Sequence, residues 1–195
     1  MIKGESKLNF FKKYSYIAVK LFLNQFAISL FGVALAFVSI KGERDGLLLW
    51  TSIFSIVFFL FLQYAVIWEV GAKDGISAVA RNTSRGLGRG FLIALLTNSL
   101  NLLCALLVLT EYIGVPAVGG VARGAILIGL EGMYMGVLKA MPTEILPLMF
   151  FVITIPSILV IGVGYIIGSY NLHATNILIP KNKDVKNNGR PKHKK

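Results

Sequence analysis

The chain is poor in the residues from which enzymes and metal sites are usually built. It has one cysteine, Cys104, and two histidines, His173 and His193. A single cysteine excludes an intrachain disulfide and any metal site made of cysteines. The HExxH, P-loop and GxSxG patterns are absent, so the chemistry those spacings serve has no foothold. The stretch "GLGRG" at 86–90 is glycine-rich, but no strand precedes it. A phosphate-cradling loop needs a strand–turn–helix setting. Cys104 reads as a small packing residue and His173 as an interfacial one. The expectation is a protein that is not an enzyme and holds no metal or cofactor.

Charge is scarce as well. Charged residues make up 15% of the 195, against about 25% in an ordinary soluble domain. With 55% hydrophobic residues and a mean hydropathy of +0.72, such a chain would expose large adhesive patches in water. Its apolar residues are gathered into blocks at 21–40, 46–68, 90–110 and 145–169. A helix needs about 20 apolar residues to cross roughly 30 Å of hydrocarbon, and soluble helices are rarely so long and evenly apolar. The fold expected is an all-α integral membrane protein, a four-transmembrane-helix bundle with spans at about 17–40, 46–69, 90–111 and 145–169.

A fifth block, 118–141, is apolar by count but carries Arg123, Glu131 and Lys139. Each such charge costs about 2.5–3.5 kcal/mol at bilayer depth on the insertion scale. Basic residues decide its place. Of the 20 Lys and Arg, five precede Leu21, four lie between Lys73 and Arg89, and seven follow from Lys181. Four spans with both termini in the cytoplasm put all 16 of these inside, as positive-inside topology requires, whereas a fifth span makes the split 10 to 10. The segment 112–144 is therefore expected outside, as an interfacial or partly inserted helical segment in which Glu131 finds a partner in the bundle. The glycines of the block permit close backbone packing.

The same distribution accounts for the net charge of +11 without nucleic acid. Residues 1–20 are expected as a basic cytoplasmic N-terminus. A signal peptide cleaved after "ALA" at 34–36 is the rival reading, and Asn24-Gln25 interrupting the apolar core weighs against it. The tail 173–195 cannot bury enough apolar surface to fold alone and is expected to be disordered, attracted to anionic lipid. In the loop after the second span, Glu69 and Lys73 stand at i,i+4 in the favourable order, and Gly75 is expected to end that helix. Arg81, Arg85 and Arg89, if helical, form one stripe toward lipid headgroups or a protein partner. The acceptor pattern "NTS" at 82–84 falls on the cytoplasmic side and is discounted. Location in the plasma membrane follows.

Inside the spans, polar residues carry the functional question. Counted at 1.5 Å per residue, Asn24, Gln63, Asn98 and Asn101 share a depth of roughly 8–17 Å from the cytoplasmic side, with Gln25 beside the first. Either they are glue between helices, worth about 0.6 kcal/mol per bond, or they line a ligand-binding cavity. Glue is preferred because ion-coupled transport usually leaves an intramembrane acid or histidine; none stands among these residues, and Glu131 of the fifth block is the only arguable candidate. Pro156 should kink the fourth span near mid-membrane, the place for a hinge. Gly32 with Ala36, and Gly164 with Gly168, are small-xxx-small pairs for close helix approach. The leading expectation is a non-enzymatic subunit of a larger membrane assembly, with a protein partner or as a homo-oligomer. A small-solute transporter or its membrane component comes second, and a transferase using Glu69, Asp74 and the loop arginines a distant third. A reporter fused to the C-terminus should be cytoplasmic; an external signal would overturn the four-span topology.

Overall fold

The computed structural model describes residues 7–41, 45–141 and 145–170. The tail 173–195, with both histidines, and residues 1–6 lie outside the described residues. Those described are mostly helical, with no strand among them. In hydrocarbon each backbone N–H and C=O must be bonded within the protein, and a helix achieves this inside one segment.

The chain runs through α1 (Lys7–Lys41), α2 (Asp45–Ala80), α3 (Arg89–Thr97), α4 (Ser99–Val108), a 3-10 turn (Leu109–Ile113), α5 (Pro116–Ala125), a π turn (Ile126–Leu130), a 3-10 turn (Gly132–Tyr134), α6 (Met135–Ala140), α7 (Met149–Val152) and α8 (Ile155–Ser169). Three stretches, Phe10–Ile40, Gly46–Ala80 and Met149–Ser169, are long and apolar enough to cross a membrane. Two more pass that test only as bent pairs: Arg89–Thr97 with Ser99–Ile113, at 55°, and Pro116–Leu130 with Gly132–Ala140, at 90°. The molecule therefore has three to five candidate spans and is membrane-embedded in class.

Its surface agrees. Trp50, Phe54, Val57 and Phe61 lie outward on α2, each more than 60% exposed, while Gln25, Gln63, Asn98 and Glu131 are fully buried. Apolar groups outside and amides inside invert a soluble protein and suit a hydrocarbon solvent.

The helices extend beyond the apolar runs. α1 starts at Lys7 rather than near 17, and α2 continues to Ala80. The expected end at Gly75 is thus corrected. A Cβ on Gly75 would collide with the carbonyl of Ser169, and one on Gly71 with that of Tyr165. Gly75 serves close packing of α2 on α8, and Gly168 answers from α8 against the Trp68 carbonyl. Asn82, at φ 49°, turns the chain instead. Of the expected pairs, Gly32 packs on the backbone of Met133 and Gly164 on Ile67.

Contacts fix the running directions. Tyr14 of α1 and Tyr165 of α8 both reach Asp74 near the end of α2, and Gly90 of α3 packs on Tyr165. This end of the bundle thus holds the start of α1, the end of α2, the start of α3 and the end of α8. At the opposite end Gly119 of α5 packs on Glu111, and Gly136 of α6 on Leu48 and Ser52. Both legs of the 90° segment therefore stand at that second end, with Glu131 between them.

Candidate functional site: a polar centre at two helix breaks

Two helices break where they meet. The run Arg89–Ile113 bends at Asn98 (φ −91°, ψ 10°) and the segment Pro116–Ala140 at Glu131 (φ −132°, ψ 27°). Asn98 covers its own break: its Nδ2 donates to the Ala94 carbonyl at 2.9 Å, and its Oδ1 accepts from Asn101 Nδ2 at 3.4 Å. Asn101, three residues on and on the same helix face, donates from that Nδ2 to Glu131 Oε1 at 2.7 Å. From α1, Gln25 Nε2 donates to the same Oε1 and to the Leu130 carbonyl, each at 3.1 Å.

The backbone freed by the second break is also met. Gly132 N–H donates to Ser29 Oγ at 2.7 Å. Ser52 Oγ donates to the Met133 carbonyl and accepts from Val137 N–H. Side chains of α1, α2 and α4 thus bond the turning point from three sides. A broken helix at membrane depth is tolerated only when protein groups re-satisfy it in this way.

One part is not satisfied. Glu131 Oε2, Gln25 Oε1, Asn101 Oδ1 and the Tyr134 hydroxyl are buried with no hydrogen-bond partner among the described residues. An unmatched buried polar group costs about 1–3 kcal/mol. Glu131 is 0% exposed, and no Lys, Arg or His among the described residues pairs with it. Beside the centre, an open and mostly apolar groove of about 320 Å³ lies between Phe11, Ser15 and Phe22 of α1 and Thr97 and Leu100 of the run Arg89–Ile113.

The expected cluster is regrouped. Gln25, Asn98 and Asn101 come together; Asn24 is only partly buried and no hydrogen bond joins it to them among the described residues. Gln63 stands apart, accepting from Ser157 Oγ of α8 at 2.9 Å. Pro156 sits in the first turn of α8, where its missing N–H is harmless. The helix is interrupted ahead of it, at 153–154, and Thr154 Oγ1 donates to the Phe150 carbonyl at 3.0 Å. The arginine stripe is corrected: positive φ at Asn82 and Gly86 takes the chain out of helix, so Arg81 and Arg85 lie in the loop and only Arg89 enters α3. Arg85 stacks over Tyr170 at 4.5 Å.

A second cluster was not foreseen. Asp74 accepts from Lys13 Nζ at 2.8 Å, Tyr14 OH at 2.5 Å and Tyr165 OH at 2.9 Å, and is 9% exposed. It ties α1, α2 and α8 together. Its carboxylate is fully engaged, whereas Glu69, paired with Lys73 at 2.6 Å, faces outward. Arg123, the first charge of the fifth block, is held by Glu111, by the Ile145 carbonyl at 3.1 Å and over the Phe150 ring at 5.3 Å.

No protein-family model, curated protein or solved structure matches the chain. The class is therefore set by the fold and the centre alone: a helical membrane-embedded protein with a buried carboxylate where two broken helices meet.

If Ser29 holds the turning point, Ser29→Ala should cost about 1–3 kcal/mol through the unmatched Gly132 N–H. Ser15→Ala, at an exposed position of the same helix, should stay within about 0.5 kcal/mol. Thermal unfolding of the two variants in mild detergent compares them, and equal melting would remove the bond's role.

Proposed function

We propose that the protein is a non-enzymatic, four-span protein of the cell membrane with both termini cytoplasmic, and that its polar centre is a transport site. In this reading it moves a small polar solute or ion, or is the membrane component that does so. The observation that carries it is Glu131. The preference for inter-helix glue rested on there being no acid among the amides, and an acid bonded to Gln25 and Asn101 removes that objection. An intramembrane ionisable residue marks a functional site by default, and transport sites are commonly built on discontinuous helices near the midplane.

Four spans, with 116–140 re-entrant, is supported by geometry and charge together. The two legs, Pro116–Leu130 and Gly132–Ala140, enclose 90° and are about 22 and 14 Å long at 1.5 Å per residue. Their ends therefore stand only about 26 Å apart, short of a roughly 30 Å core. Both legs also start from the end opposite Asp74. That leaves the basic loop with Arg81, Arg85 and Arg89 at the Asp74 end, the cytoplasmic one by the positive-inside rule, where it meets anionic headgroups.

A subunit role keeps one specific support. On α5, Gly120 and Gly124 stand four apart, and a Cβ on either would meet nothing within 4 Å. Such a flat face suits a second helix, from a protein partner or another copy.

Uptake separates the readings. Cells overproducing the protein are offered a panel of labelled amino acids, nucleobases and vitamins, and compared with cells making the Asn98→Leu, Asn101→Leu double variant. Transport predicts uptake of a panel member that the variant loses while its yield and melting stay normal. Loss of expression together with uptake supports glue, and a stoichiometric partner after native extraction in mild detergent supports the subunit reading.

A further inference from the structure

We infer that Glu131, Gln25 and Asn101 form a binding site for one monovalent alkali cation at the turning point of the 116–140 segment. The inference rests on reading this centre as a ligand site, and it names the ligand class.

The argument begins with how the amides are oriented. Gln25 Nε2 has two acceptors, the Leu130 carbonyl and Glu131 Oε1. Asn101 Nδ2 also has two, Glu131 Oε1 and Asn98 Oδ1. Neither amide can be turned over without losing both bonds, so each is committed to presenting its oxygen elsewhere. Those oxygens, Gln25 Oε1 and Asn101 Oδ1, are unpartnered among the described residues, and so is Glu131 Oε2. All three belong to residues no more than 1% exposed. Because both amide nitrogens converge on one carboxylate oxygen, the three free oxygens belong to groups already in contact. The Tyr134 hydroxyl, three residues on, is a fourth unpartnered oxygen.

A set of hard oxygen acceptors with one negative charge selects its ligand. A proton on Glu131 can serve one acceptor by donation, whereas a cation can be coordinated by several oxygens at once. Its charge is limited to one, because a single carboxylate balances one unit and a divalent ion would leave a net charge buried in hydrocarbon. No group of three His, Cys, Asp or Glu stands among the described residues, so the thiolate and imidazole ligands of transition metals are missing here. The leg from Pro116 brings the negative end of its dipole to the carboxylate and the leg that starts at Gly132 brings a positive one, so the single carboxylate, not the helix dipoles, sets the sign of the site.

The test uses the purified full chain in mild detergent. Thermal melting is followed while NaCl or KCl replaces choline chloride at constant total salt. A cation that binds only the folded protein raises the melting temperature with its concentration. The site predicts such a rise in sodium or potassium, its loss in Glu131→Gln, and a higher half-saturating concentration in Asn101→Leu. No difference from choline overturns the inference, and so does a rise that survives Glu131→Gln. Where Glu131→Gln does not fold, Asn101→Leu and Gln25→Leu decide, and an unchanged half-saturation in both overturns it. Uptake lost in the asparagine variant alongside melting insensitive to alkali ions removes the cation and leaves transport. A Glu131-dependent melting rise without uptake leaves the cation site and removes transport.

Discussion

A helix broken inside hydrocarbon must find its missing hydrogen bonds in other parts of the protein, and much of this bundle is arranged around one such break. At 130–133 the backbone is met by Gln25, Ser29 and Ser52, and the carboxylate between those residues by Gln25 and Asn101. The polar residues of α1, α2 and α4 thus serve the turning point more than they serve one another. Close approach follows from the same need. Gly32 lets α1 reach the backbone of Met133, and Gly132 and Gly136 let the segment reach α1 and α2. A side chain at any of these would push the serine and amide groups out of bonding range.

The Asp74 end is held by different means. There the glycines of α2 and α8 bring two backbones together, and one buried carboxylate accepts from three donors on α1 and α8. Between helices in lipid there is no hydrophobic drive, so backbone packing and hydrogen bonds must hold the bundle. One end is held by fully matched polar groups, while the centre carries several unmatched ones. Most of that mismatch lies where the chain is also irregular, and Gln63 Nε2 on α2 is a further unmatched group away from it.

The apolar runs made the long helices legible, because length and evenness of hydropathy are properties of the chain itself. The inward-facing amides were legible for the same reason, and so was a bundle partner for Glu131. What failed depended on rotation about a helix axis. Asn24 and Gln25 differ by 1.5 Å in depth but by about 100° around the helix, so a depth argument cannot choose between them; the structure turns Gln25 inward. The same lack of azimuth grouped Gln63 with residues it does not touch. The local propensity of Gly75 to end a helix is overridden by its packing against Ser169. Asp74, Tyr14 and Tyr165 lie about 60 and 91 residues apart in the chain, and no local pattern joins them. Tyr14 was further hidden in a stretch that its lysines marked as a basic tail.

Scaffolding alone does not explain why residue 131 is an acid. The turning point is held at Leu130, Gly132 and Met133 by bonds that do not involve the side chain between them. The two amide donors that reach Glu131 use a single oxygen, and the side-chain oxygen of a glutamine could accept both, though more weakly than a carboxylate. A carboxylate also adds a buried oxygen without a partner and a charge whose desolvation is expensive. An acid at this position makes the centre costlier to bury, and the proposed cation is what would offset that cost.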